Sequence, residues 1–225
     1  MENVYLNEAS MQRAVGKGHH RAVVGGSWDA VGHLQFDFMT GHGLKPHHRF
    51  IDVGCGSLRG GVHFVGYLEQ GNYFGVDASQ ALIDAGINIE LAKAGLEGRL
   101  PRDNVVCTNE FDFSAFAQPF DYGLALSVFT HLSFNTVRVC LERLAPAMSI
   151  GGVFFASYFL VSDGPTHRPL VHKPGGIVTH GSKDPFHYRT DDFRHAISGL
   201  PWALDDLGDW GHPRDQRMLA FTRLA

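Results

Sequence analysis

The stretch Phe50-Ile51-Asp52-Val53-Gly54-Cys55-Gly56-Ser57-Leu58-Arg59-Gly60-Gly61 constrains the fold more than any other part of the chain. Its first four residues read as a buried strand, its glycines as a tight turn, and the apolar spacing of Leu58–Leu68 as the helix that follows. A strand that runs through glycines into a helix opens a βαβ unit. Glycine at that bend lets backbone approach a ligand closely at the carboxyl end of the strand.

The rest of the chain repeats this alternation. Further strands are expected at Tyr73–Val76, Asn104–Cys107, Tyr122–Leu126 and Val153–Ser157, with helices over Ser79–Ala94 and Asn135–Leu144, each helical pattern led by a Ser or Asn able to cap it. Right-handed crossovers place such helices on both faces, giving a doubly wound, mostly parallel α/β sheet. Trp202–Leu207 and Met218–Thr222 are strand-like, and the connection between them leaves no room for a helix. They predict a terminal hairpin and an antiparallel last strand. At the other end, Ser27 is placed to cap a helix whose Trp28, Val31, Leu34, Gln35 and Phe38 share a face, a lid over the sheet edge. Leu160–Pro185 is rich in proline and glycine, lacks periodicity and reads as a long functional loop. The chain of 225 residues fits one domain, 1–225, with residues 1–45 as a helical lid and residues 159–189 as a substrate-side insertion.

Composition removes several classes of function. With 44% hydrophobic and 19% charged residues the chain is ordinary for a globular protein. Its net charge of −4, with no basic stripe, argues against a nucleic-acid partner. No run is apolar enough to cross a membrane, and the acidic Glu2 and Glu8 stand where an export signal would be basic and then apolar. A cytoplasmic protein is expected. Cys55, Cys107 and Cys140 are odd in number and widely spaced, so they read as small buried residues rather than disulfides or a zinc site. The paired histidines His19-His20 and His47-His48 do not make a tetrahedral ligand set, and Asp163 alone does not hold magnesium, so no metal is expected.

The chemistry is concentrated around the glycine bend. Asp77 ends the second strand, about 20 residues on, where a carboxylate accepts hydrogen bonds from both hydroxyls of a ribose. The ligand is therefore expected to be a nucleoside. A dinucleotide turn reads G-x-G-x-x-G, and here the third glycine is one residue late. Asp52, just before the bend, would repel a pyrophosphate and suits the amino group and sulfonium of S-adenosylmethionine.

Taken together, Asp52-Val53-Gly54-Cys55-Gly56, Gly75-Val76-Asp77, Asn109-Glu110-Phe111-Asp112-Phe113 and Phe120 through Leu132 make the chain resemble the class I S-adenosylmethionine-dependent methyltransferases. The phrase Gly211-His212-Pro213-Arg214-Asp215-Gln216 looks like a small bacterial subgroup of them. The resemblance implies a seven-stranded Rossmann-like sheet with an inserted antiparallel strand, and S-adenosyl-L-methionine as cofactor. It implies a cofactor-binding set of Asp52, Gly54, Cys55, Gly56, Arg59, Asp77, Asp112, Phe113 and Ser127. In it Gly54 and Gly56 lie under the methionine part, Asp77 holds the ribose, and Asp112 with Phe113 meets the adenine. Arg59 reads either as a partner of the methionine carboxylate or as solvent-exposed. Glu110 competes with Asp112, which reads equally as a turn former.

A hydroxyl acceptor would need a base, and histidine titrates in the right range. His131, directly after the fourth strand, reads as that base or as a structural contact, and His180, His187 and His212 come from the long loop and the terminal hairpin. The expected function is methyl transfer to a small molecule, a hydroxyl of a sugar or secondary metabolite. A peptide-methylating enzyme, a silent scaffold of the same fold and a nicotinamide-dependent reductase are the alternatives. Oligomeric state leaves no trace in the sequence.

Overall fold

The computed structural model describes residues 7–162 and 165–225. Glu2 and Asp163 lie outside these. Seven strands form the main sheet in the order β3-β2-β1-β4-β5-β9-β8, and the contacts divide the chain into one compact unit ending at Phe116 and another beginning at Ala117. No described helix is long and apolar enough to cross a membrane.

The first unit holds α1 (Glu8–Gly16), α2 (His20–Val23), α3 (Trp28–Gly41), β1 (Phe50–Val53), α4 (Gly61–Tyr67), β2 (Tyr73–Asp77), α5 (Gln80–Ala85) and β3 (Val105–Cys107). β1 pairs parallel with β2, Phe50 opposite Tyr73, and β2 pairs parallel with β3, Gly75 opposite Val105. All four residues of β1 are buried, as expected of a strand covered on both faces. The rings of Phe50 and Phe64 pack at a tilt of 42°, their centroids 4.5 Å apart, where α4 covers the strand.

Four local expectations are corrected here. The helix after the bend starts at Gly61 rather than Leu58, because Leu58 sits at φ 63 in a left-handed turn that helix cannot continue through. Ser27 precedes α3 but does not cap it, since its own φ of 45 turns the side chain away from the role. The helix from Ser79 keeps its predicted cap, the Ser79 hydroxyl accepting from Leu82 N–H, but α5 passes at Gly86 into a π-helical stretch, Gly86–Leu91. A Cβ on Gly86 would lie 2.6 Å from Leu58 Cγ and 2.9 Å from the Ser57 carbonyl carbon. Gly86→Ala is therefore expected to cost about 1–3 kcal/mol of stability as an overpacked contact, read as a lower midpoint in urea at unchanged slope. Cys107 is exposed, contrary to its reading as buried, while Cys55 and Cys140 are buried; all three are free thiols.

The second unit holds β4 (Phe120–Ala125), α6 (Phe134–Leu144), β5 (Met148–Phe159), β6 (Leu170–His172), β7 (Ile177–Thr179), α7 (Thr190–Ala196), β8 (Trp202–Asp209) and β9 (Gln216–Arg223). β4 and β5 are parallel. β9, the last strand in sequence, is antiparallel to both β5 and β8, as the absence of a helix between β8 and β9 requires. Its hairpin strands run further than predicted and leave only residues 210–215 as the connection. α6 is capped by Ser133, whose hydroxyl accepts from Thr136 N–H. The segment read as structureless carries a small hairpin, β6 with β7, Val171 opposite Val178. Its inner side is a buried polar chain in which Thr179 Oγ1 lies 2.8 Å from both His172 Nε2 and His187 Nδ1.

Candidate active site

At the end of β1 the chain bends sharply. Gly54 and Cys55 N–H both donate to Val76 O, at 2.7 and 3.1 Å, and Gly54 and Gly56 take φ of 75 and 52, conformations that favour glycine. Asp77 fastens this bend to the start of the next helix. Its Oδ2 accepts from Gly56 N–H at 2.8 Å and its Oδ1 from Ser79 N–H at 2.9 Å. A carboxylate has about four acceptor sites, so two bonds to backbone leave capacity for hydroxyl donors at this half-buried group. Burial pushes the Asp77 carboxyl above its usual range, and the Ser79 and Gly56 bonds pull against that rise.

Asp52 lies deeper, 4% exposed, with Tyr73 Oη donating to its Oδ2 at 2.8 Å. Burial pushes its carboxyl up to about 7; the Tyr73 bond and the Arg59 charge lower it, and Asp77 raises it further. An acid in this state is poised between forms near neutrality and is pulled towards the anion by a cation placed beside it. Because its folded pKa is raised, its protonated form supports the fold fully below the unfolded value of about 3.9, and that support is lost as pH rises through about 7. Asp52→Asn is expected to raise stability by about 1–3 kcal/mol above pH 7 and to leave it nearly unchanged at pH 4, measured by urea unfolding across that range.

The N-terminal segment lies over the bend. A Cβ on Gly56 would meet Val24 Cγ1 at 2.9 Å, so the bare glycine admits a side chain of this chain as well as backbone curvature. Arg59 Nη1 donates to Val24 O at 2.7 Å and Gly26 O at 3.2 Å. The structure thus gives Arg59 backbone carbonyls as partners, so it is not simply solvent-exposed. The same segment is clamped to the π-helical stretch. Glu90, 2% exposed, takes two bonds from Arg21, 2.9 and 2.5 Å, and one from His20, 2.5 Å, while the Arg21 guanidinium lies 4.7 Å over the Trp28 ring. Burial pushes the Glu90 carboxyl up, but the Arg21 and His20 bonds outweigh it and hold the group below its usual range. Glu8 adds a second fastening, accepting from Ser79 Oγ at 2.7 Å and Ala81 N–H at 2.9 Å at the start of α5. None of these contacts was foreseen. The carboxylates stand about 70 positions from their partners, and no local pattern marks the pairs. Further along, Asp112 Oδ1 accepts from Ser114 N–H at 2.9 Å, the turn-forming role, and Phe113 is buried.

In the unit that begins at Ala117, Ser127 stands two residues beyond the end of β4, at φ 58, a strained position for a residue with a side chain. It is held by Ser157 Oγ, which accepts from Ser127 N–H at 2.7 Å, and by Gln216 Oε1, which accepts from the Ser127 and Ser157 hydroxyls at 3.0 and 2.6 Å. His131 follows in a 3-10 turn, and its Nδ1 is 2.5 Å from Asp184 Oδ1. Neighbouring bonds fix the loop that carries Asp184: Phe186 N–H donates to Thr130 O at 2.6 Å, and the Tyr188 hydroxyl donates to Leu132 O. The structure therefore brings His131 together with an acid that sequence reasoning did not single out. The other three histidines have different surroundings. His187 is 2% exposed, bonded at Nδ1 to Thr179 and at Nε2 to Thr166 O. His212 is buried, stacked on Trp210 and accepting at Nδ1 from Arg214 N–H. His180 joins the loop through its backbone, N–H to Pro185 O. Among the described residues, no group of three or more His, Cys, Asp or Glu side chains is arranged to hold a metal ion.

Comparison with known proteins gives this arrangement a setting. A family model described as a methyltransferase domain matches residues 51–154, from the first strand through most of β5. Among solved structures, a magnesium protoporphyrin IX methyltransferase from Synechocystis with bound S-adenosylmethionine aligns over 99% of this chain and 98% of its own, with TM-score 0.65 and 13% identity. An amino pentose methyltransferase from Micromonospora echinaspora aligns over 93% and 96%, TM-score 0.62, 14% identity. A sugar N-methyltransferase from Streptoalloteichus aligns over 85% and 87%, TM-score 0.59, 17% identity. Residues 51–154 thus match a methyltransferase domain, and the chain has the Rossmann-like fold of these solved structures.

Proposed function

We propose that the protein binds S-adenosyl-L-methionine and transfers its methyl group to a hydroxyl of a small molecule, a sugar or secondary metabolite. The observation that carries the cofactor reading is Asp77, whose two oxygens clamp the glycine bend while keeping acceptor capacity for a ribose diol. The buried Asp52 beside the same bend suits a cationic ligand over a phosphorylated one. In this reading Gly54, Cys55 and Gly56 lie under the methionine part. Asp112 and Phe113 serve the adenine, and Ser127 contributes from just beyond the end of β4. Arg59 acts through the 24–26 backbone it holds, and residues 1–45 and 159–189 serve as lid and substrate-side insertion of one domain working in the cytoplasm.

The bound cofactor supplies a methyl group on sulfonium, an activated leaving group, so the protein's task is alignment, exclusion of water and removal of the acceptor's proton. His131 is the base in this reading, and it is the reason for preferring a hydroxyl. A nitrogen acceptor is the second reading, favoured by the aminosugar and sugar-nitrogen activities that two of the structural relatives are named for. The test is methyl transfer from radiolabelled S-adenosylmethionine to matched pairs of probes, a sugar alcohol and its amino analogue, a phenol and its aniline. Label on the hydroxyl members supports the first reading, and label on the amines alone overturns it.

A further inference from the structure

Residues 8–24 are fastened over the glycine bend by side chains, and every residue involved belongs to the unit that ends at Phe116. At the bend itself, Val24 Cγ1 fills the space into which a Gly56 Cβ would project, and the Ser57 hydroxyl donates to His20 O at 3.3 Å. Beside the Asp77 clamp, Glu8 accepts from Ser79 Oγ and Ala81 N–H. The strongest fastening is Glu90. Its Oε1 takes the Arg21 Nε hydrogen at 2.9 Å and the His20 Nε2 hydrogen at 2.5 Å, its Oε2 takes Arg21 Nη2 at 2.5 Å, and Lys93 Nζ stands 3.8 Å away.

Two features mark this as a fastening that opens. The chain leaves Val24 through Gly25, Gly26 and Ser27 at φ 97, 63 and 45, a left-handed corner of three residues, and a Cβ on Gly26 would meet nothing within 4 Å. A short run of small residues with open space beside it can absorb the backbone rotation that a hinge requires. The closed position also leaves a polar atom unsatisfied. A carboxylate only accepts, so His20 Nε2 carries the hydrogen given to Glu90, while His20 Nδ1 is buried and has no hydrogen-bond partner among the described residues. Water satisfies that nitrogen once the segment lifts, so opening recovers part of what the Glu90 bonds give to closure. Arg21 is 43% exposed at its side chain, which leaves solvent at the edge of the pair.

We propose that residues 8–24 are a gate over the glycine bend, hinged at residues 25–27 and latched by Glu90 on Arg21 and His20, which opens to admit S-adenosylmethionine and shuts over it. The inference rests on the methyltransferase reading above, since it takes the bend beneath Val24 as the seat of the cofactor. Shut, the gate keeps Val24 against Gly56, so the cofactor enters only the open fraction of molecules, and the observed uptake rate scales with that fraction. Release passes through the same opening. A weaker latch enlarges the open fraction with and without cofactor, and uptake and release then accelerate together.

The test compares the full-length wild-type protein with Arg21→Ala and Glu90→Gln. Arg21→Ala truncates a half-exposed side chain and keeps the comparison available if the buried Glu90 tolerates no change. Hydrogen exchange read by mass spectrometry, without cofactor, is expected to show residues 8–24 opening about 10–100-fold more often in both variants, because a buried charge has lost its pairing. Exchange in Phe50–Val53 and Tyr73–Asp77 is expected to stay at the wild-type rate, which distinguishes a lifted gate from a loosened core. Rapid mixing with S-adenosylmethionine, and displacement of the bound compound by excess S-adenosylhomocysteine, are expected to show uptake and release both accelerated by a similar factor, their ratio nearly unchanged. Release that accelerates while uptake does not would make the segment a wall of the site and overturns the gate, as does exchange in residues 8–24 that neither substitution alters. Failure of the wild-type protein to take up S-adenosylmethionine at all overturns the methyltransferase reading, whereas uptake that the latch does not govern overturns the gate alone.

Discussion

Asp77→Ala weakens S-adenosylmethionine binding by at least tenfold and by up to about 150-fold. The magnitude follows from what the carboxylate does. Losing charge-assisted bonds to a ribose diol costs about 1.5–3 kcal/mol, and each 1.4 kcal/mol is a factor of about ten in affinity. The substitution also strips acceptors from Gly56 N–H and Ser79 N–H, which fix the bend and the start of α5, so the cradle loosens together with the ligand contact. Asp77→Asn separates these contributions. Its amide oxygen still serves one backbone donor but cannot accept from two hydroxyls at once, so most of the affinity is lost while the unfolding midpoint falls less than in Asp77→Ala. Binding measured by calorimetry and stability measured by urea unfolding distinguish the two; an affinity unchanged in both variants removes Asp77 from the cofactor site.

The second large effect is on turnover. Against a hydroxyl acceptor, His131→Ala lowers kcat by about 10²–10⁴, the usual worth of a positioned general base, with cofactor affinity preserved within about twofold. The split matters because His131 is also part of the fold: its N–H closes the 3-10 turn on Val128 O, and its ring holds the 180–188 loop through Asp184. Parallel losses in turnover and cofactor binding would make the histidine a structural strut. His187→Ala serves as the contrast. Both of its nitrogens are bonded inside the protein, so its removal is expected to destabilise the β6–β7 hairpin and to alter turnover only to the extent that the fold is lost.

What the sequence made legible was local. β1 was expected at the residues where it stands, because four apolar-dominated residues ahead of a glycine pair admit few other conformations. Asp77 and the cap at Ser79 follow from position in a βα turn, and the antiparallel β9 follows from a connection too short for a helix. The errors arose where local chemistry was outvoted. Ser27 has the right side chain for a cap, but Gly25, Gly26 and Ser27 in succession take left-handed backbone angles, and an N-cap needs an extended one. The β6–β7 hairpin was missed because its strands are three residues each and it is organised by the His172–Thr179–His187 chain, a tertiary feature. The candidate site was legible to the same extent. Asp52, Asp77 and His131 could be named because each sits beside a strand end, whereas Asp184, Glu8 and Glu90 act across long stretches of chain. Arg59 shows the converse. A cation in the first turn after a strand needs a reason, and here the structure supplies two backbone carbonyls that periodicity could not reveal.

In the proposed function the buried Asp52 at the glycine bend welcomes a cation and refuses phosphate. The direct measurement is calorimetric titration of the wild-type protein with S-adenosylmethionine, with its product S-adenosylhomocysteine, whose sulfur is neutral, and with a nicotinamide dinucleotide, at pH values on either side of 7. The expected result is binding of both adenosyl compounds and none of the dinucleotide, with the preference for the sulfonium form growing as Asp52 ionises and disappearing in Asp52→Asn. Binding of the dinucleotide without S-adenosylmethionine would contradict it.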